Sequence, residues 1–150
     1  MPEVTPLCQF DTKAITFNLK GVDKQNYNLE DHIKGENGTL IMFICNHCPY
    51  VKGVISRLVE DVISLQKKGI GCAAIMSNDS IQYPEDSPIN MEKFSKQNHF
   101  TFPYLYDETQ DVAKAYGAVC TPDFFGYNKN LELQYRGRLD NAGISGQKLK

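Results

Sequence analysis

Thr39-Leu40-Ile41-Met42-Phe43-Ile44-Cys45-Asn46-His47-Cys48-Pro49-Tyr50 is the stretch on which the reading of this chain turns. Residues 39–44 are apolar at five of six positions, the composition of a parallel strand covered on both faces. The run stops at a Cys-x-x-Cys pair, and Pro49 stands where the first turn of a helix tolerates proline. Beyond it the period changes. Val51, Val54, Ile55, Leu58, Val59, Val62 and Leu65 recur at helical spacing, with Lys52, Arg57, Glu60, Asp61 and Lys68 mostly on the other face. Gly69 is placed to close this helix. Residues 70–76 then read as a second buried strand. The result is a βαβ unit with two thiols at the strand-to-helix junction.

On the N-terminal side, residues 14–19 alternate apolar and polar, as a half-buried strand does. Residues 21–25 form a turn and 26–29 a short returning strand, so a β-hairpin precedes the central strand. Residues 31–38 are polar and read as a loop. On the C-terminal side, 77–88 is a long polar loop whose length suits a substrate-facing role. A helix is expected from near Ser87 or Asn90 to Asn98, with Met91 and Phe94 inward, followed by a short strand within 102–106. Asp107-Glu108-Thr109-Gln110 has the form of a capping box, with Gln110 reaching back. The helix it opens runs to Tyr116, and Gly117 ends it. Residues 124–127 and 131–136 make a closing hairpin around the turn at 128–130. This order predicts an α/β fold, with a central mixed sheet flanked by helices and an N-terminal β-hairpin extension. One domain is expected over residues 1–150, with an irregular lead-in at 1–9 and a flexible tail at 141–150.

Composition bounds the function. The 150 residues are 41% apolar and 23% charged, with a net charge of −2. Positive and negative residues are interspersed, so neither a nucleic acid nor an anionic membrane is an expected partner. No basic segment followed by an apolar one opens the chain, and the longest apolar run is far short of the roughly 20 residues that span a bilayer. A cytoplasmic location is expected. The five cysteines are Cys8, Cys45, Cys48, Cys72 and Cys120. In a reducing compartment a close pair is more often catalytic or metal-binding than structural.

Two thiols three residues apart at a helix start can close a small disulfide. Cys45 is the better placed nucleophile, because unpaired N–H groups and the helix dipole lower a thiol pKa from about 8.5. A charged His47 between the sulfurs would lower it further. Cys48, one turn into the helix, would resolve a mixed disulfide formed on Cys45. A zinc site would want a second close pair or a Cys/His couple, and neither is present, so no metal and no cofactor is assigned. Cys72, in an apolar strand, reads as a buried inert thiol. His32 and His99 read as surface histidines.

Strand, Cys-x-x-Cys, helix, strand and a later Thr121-Pro122 before a hairpin resemble the thioredoxin superfamily. Residues 45–51, Cys-Asn-His-Cys-Pro-Tyr-Val, and 117–125, Gly-Ala-Val-Cys-Thr-Pro-Asp-Phe-Phe, resemble its redoxin-like subgroup, the alkyl hydroperoxide reductase/thiol-specific antioxidant proteins, over roughly residues 10 to 140. The resemblance implies that Pro122 is a cis-proline packed against the Cys-x-x-Cys, leaving the Thr121 backbone free to pair with substrate. It implies substrate contacts at Asn46 and Pro49 as well, and places Cys120 near the site as a possible third thiol. Ile44 stands where thioredoxins carry Trp, and Thr39 where they bury a carboxylate, so the sequence does not name the group that takes the proton of Cys48. The peroxiredoxin pattern P-x-x-x-T-x-x-C fits neither frame: counting back from Cys48 gives Cys45 and Ile41, and from Cys45 gives Met42 and Gly38.

The expected function is thiol–disulfide exchange with disulfide-bearing proteins or small thiols, fed by an unidentified electron donor. A thiol peroxidase is the first alternative, and thioredoxin-coupled peroxide consumption would distinguish it. A non-catalytic thioredoxin-like module that binds a metal or a partner is the second.

Overall fold

A mixed sheet of seven strands carries the fold. The computed structural model describes residues 12–46, 49–78, 83–118 and 123–137. In chain order the strands are β1 (Asn18–Gly21), β2 (Asn26–Asn28), β3 (Gly38–Phe43), β4 (Ile70–Met76), β5 (Tyr104–Tyr106), β6 (Asp123–Tyr127) and β7 (Leu133–Gly137). Their spatial order is β2-β1-β5-β4-β3-β6-β7. The pairs β3–β4 and β4–β5 are parallel, and β1–β2, β1–β5, β3–β6 and β6–β7 are antiparallel. Helices α1 (Pro49–Lys67), α2 (Pro88–Gln97) and α3 (Asp111–Tyr116) connect them.

The apolar run of β3 is explained by cover on both faces, since all six of its residues are buried. Its side chains alternate between two cores, as a pleated strand requires. Leu40 and Met42 join Ala74 and Met76 of β4 against Ile55, Leu58 and Val62 of α1 and Met91 of α2. Ile41 and Phe43 face the other way, with Ile75, Leu105 and Phe125, against Leu29, Ile33 and Tyr116 of α3. The apolar stripe of α1 is the one read from its period. The helix ends on Gly69 at φ 85°, where Asn37 donates its side-chain amide to the Lys68 carbonyl at 2.8 Å.

Several boundaries differ from the sequence reading, each for a local reason. The strand expected at 14–19 forms later, at Asn18–Gly21, because Lys20 and Gly21 pair with Tyr106 and Leu105. Upstream, Lys13 makes only an isolated bridge to Glu132. Part of the loop expected at 31–38 belongs to a π-helical turn, Leu29–Ile33, capped by the Asn28 side chain and driven inward by Leu29 and Ile33. The long loop contains a 3₁₀ turn, Pro84–Asp86. The capping box does not close as expected. Asp107 reaches over the start of α3, accepting from Val112 N at 3.3 Å and Ala113 N at 2.9 Å, while Gln110 takes the left-handed region at φ 67° and makes no side-chain cap. The N-terminal lead-in and the tail at 141–150 lie outside the described residues.

Candidate active site

Cys45 lies just past the C-terminal end of β3, between that strand and α1. The parallel strands β3 and β4 both point their carboxyl ends here, the edge where α/β sheets place their sites. Its neighbour Ile44 is still held to the sheet, donating to the Ile75 carbonyl at 3.0 Å. Cys45 is 1% exposed in this conformation. His47 and Cys48 lie outside the described residues, as do Cys120, Thr121 and Pro122; so the expected cis-proline and third thiol fall there too. Pro49 is the first residue of α1, as its tolerance for the first turn predicts.

Asn46 is buried, and its polar groups are turned into the protein rather than toward a substrate. Its backbone N–H donates to Asp86 Oδ1 at 2.7 Å, its Nδ2 donates to the Glu85 carbonyl at 2.8 Å, and its Oδ1 accepts from the Tyr104 hydroxyl at 2.8 Å. Asp86 is fully buried and accepts a further bond from Asn78 Nδ2 at 2.9 Å on its other oxygen. The turn Pro84–Asp86 is thus latched to the residue that follows Cys45. A substrate contact through the Asn46 side chain would require breaking this latch, so the geometry gives Asn46 an anchoring role.

Burial pushes the Tyr104 phenol well above its ordinary range, and the neighbouring charges of Cys45 and Asp86 push it further the same way. Tyr104 thus stays a neutral hydrogen-bond donor to Asn46. Cys72, 4% exposed in β4, has its thiol pushed up to about 12 by burial, consistent with an inert core thiol.

A second buried charge sits across the sheet. Asp123 directly follows Pro122 and pairs in register with Phe43, two residues before Cys45. Arg136 of β7 donates to Asp123 Oδ2 at 3.3 Å, stacks over the Phe125 ring at 4.7 Å, and also donates to the Gly117 carbonyl. It therefore grips both flanks of the segment 118–122. Neither Asp86 nor this Asp123–Arg136 pair was marked by the sequence. Asp86 stands in a proline-bounded polar loop and Arg136 in an alternating hairpin strand, where charged residues are ordinarily solvated. Among the described residues no cluster of three or more His, Cys, Asp or Glu side chains could hold a metal.

The family model of the AhpC/TSA family matches residues 10–140. The chain belongs to the AhpC/TSA family. Among solved structures, an uncharacterized conserved protein from Geobacillus kaustophilus is 49% identical, with 90% of this chain and 71% of that one covered at a TM-score of 0.86. A hypothetical protein from Sinorhizobium meliloti is 34% identical, with 96% and 78% covered and a TM-score of 0.87. The thioredoxin domain of a thiol-disulfide oxidoreductase from Bacteroides vulgatus superposes at a TM-score of 0.71 over 87% of this chain and 89% of that domain, at 12% identity. The fold of this AhpC/TSA protein is therefore thioredoxin-like. No curated protein matches the chain. No helix among the described residues is long and apolar enough to cross a membrane.

Proposed function

We propose that this protein is a thiol–disulfide oxidoreductase in which Cys45 attacks a partner disulfide and Cys48 resolves the mixed disulfide. The observation that carries the reading is the position of Cys45 at the carboxyl edge of a thioredoxin-like sheet, at the β3–α1 junction. The register of β6 supports it, since it brings Asp123, the residue that follows Thr121-Pro122 in sequence, beside Phe43 at that same edge. In each exchange the Cys45 thiolate bonds to one partner sulfur and the other leaves as a thiolate. Attack by Cys48 then forms the Cys45–Cys48 disulfide and releases the reduced partner, so the two electrons that the partner gains come from the pair. Disulfide-bearing proteins or small thiols in the cytoplasm are the proposed partners, and His47 tunes the potential.

Mass-spectrometric thiol trapping across glutathione redox buffers tests this. A reversible two-electron transition of Cys45 and Cys48 is expected, and a potential near about −270 mV would mark a reductase, near about −120 mV an oxidant. Absence of a Cys45–Cys48 disulfide throughout that range would sink the proposal.

A further inference from the structure

Asp86 is a buried carboxylate beside the reactive loop for which thiol exchange as described above has no use. We propose that Asp86 is a positioning residue that sets the potential of the pair: its carboxylate occupies the Asn46 N–H and adds a fixed negative charge beside Cys45, disfavouring the thiolate and making the dithiol a stronger reductant. The inference rests on the reading of Cys45 and Cys48 as an exchanging pair.

Three observations carry it. The first is that the two oxygens of Asp86 each accept from a neutral N–H donor, at 2.7 Å from Asn46 and 2.9 Å from Asn78. Both oxygens of the buried side chain are thus tied to the two loops that flank Cys45. The second is that the N–H groups at a strand-to-helix junction are those that stabilise a thiolate, and the one following Cys45 is committed to Asp86. The third is burial: Asp86, Cys45 and Tyr104 are each no more than 1% exposed, so their charges are weakly screened from one another. Among the described residues, the other acidic groups at this end of the sheet are engaged elsewhere or face solvent: Asp107 accepts from Ser77 and the first amides of α3, Asp123 pairs with Arg136, and the Glu85 and Glu108 side chains are exposed.

The sign follows from the exchange itself. Protein disulfide plus two glutathione gives protein dithiol plus glutathione disulfide. Whatever stabilises the thiolate stabilises the reduced protein and makes the pair more oxidising. A like charge does the reverse.

Asp86→Asn keeps an acceptor for the Asn46 N–H and removes the charge. The full chain and this variant are equilibrated with glutathione between pH 6 and pH 9. At pH 9 the variant is expected to lie up to about tenfold further toward the dithiol, about 30 mV less negative, with the gap narrowing as pH falls and the thiolate takes up its proton. No gap, or one that is the same at every pH, overturns the inference, since a purely structural latch would produce the latter. If the wild type forms no Cys45–Cys48 disulfide, the exchange reading itself has failed; if it cycles and Asp86→Asn is indistinguishable, only this inference has. Should the variant not fold, ¹³C NMR of the wild-type Asp86 carboxyl settles the matter. The reduced protein is expected to show an inflection between pH 6 and pH 9 as the neighbouring thiol ionises, absent from the oxidised protein, and its absence from both overturns the inference.

Discussion

Replacing Arg136 by methionine removes the buried ion pair with Asp123 together with the bond to the Gly117 carbonyl. The Arg136 side chain is 8% exposed and that of Asp123 fully buried, so solvent does little to replace the lost contact. Removing one partner of a buried pair costs about 3–5 kcal/mol. Here the contact is a single one, at 3.3 Å, and Arg136 Nε is buried with no hydrogen-bond partner among the described residues. The pair is not a two-pronged fork, so the lower end applies, about 3 kcal/mol. Methionine keeps the apolar stem over Phe125, which confines the loss to the charge and its hydrogen bonds. With a urea m-value of about 2 kcal/mol/M, the midpoint falls by about 1.5 M. The double variant Asp123→Leu/Arg136→Met is expected to recover most of this, because an apolar pair of similar volume is often as stable as a buried ion pair. A loss below about 1 kcal/mol for Arg136→Met, or a double variant whose loss equals the sum of the two single ones, would refute the reasoning.

Cys72 predicts an alkaline weakening. Its folded thiol is raised to about 12, so the native state keeps a proton that the unfolded chain gives up near pH 8.5. The stabilisation is fully present below that pH and is lost as pH rises toward 12, by at most about 1.4 kcal/mol per unit. Urea unfolding at pH 8 and pH 10.5 should show a steeper loss for the wild type than for Cys72→Ala; equal losses would refute the assignment. Tyr104→Phe removes the hydroxyl donor of buried Asn46 Oδ1, a loss of about 1–3 kcal/mol. Calorimetry should register it as a fall in Tm, and an unchanged Tm would mean that the latch on Asn46 carries no energy.

The β3–α1–β4 unit was legible because both of its periods are strong. A short apolar run bounded by turn residues and a long amphipathic helix directly after it are strong signals when they occur together, and α1 and β4 begin where the sequence puts them. The N-terminal strand was misplaced because the alternation at 14–19 is local, whereas pairing is decided by Tyr106 and Leu105, far along the chain. Gln110 was assigned a capping role on spacing alone, and its left-handed backbone removes that option. At the site, Cys45 announced itself through its spacing to Cys48. Asp86 did not, since nothing in Pro84-Glu85-Asp86-Ser87-Pro88 separates a carboxylate bound to the backbone beside a cysteine from one in water. The side chain of Asn46 was assigned a substrate contact by resemblance, and its two internal partners, the Glu85 carbonyl and the Tyr104 hydroxyl, lie too far along the chain for local sequence to show.

The strand order has a consequence for how the chain is made. Lys20 of β1 pairs with Tyr106, 86 residues later, and Phe43 of β3 with Asp123, 80 residues later. At about 5–20 residues per second of synthesis, each waits several seconds for its neighbour. During that interval the β1–β2 hairpin has no strand to join, and one flank of β3, whose six residues all end up buried, is an open edge. Such an edge is a template for pairing with another chain. Nascent chains on one message would thus be most prone to associate before β6 is made, and a pause after β6 would do less harm than one before it.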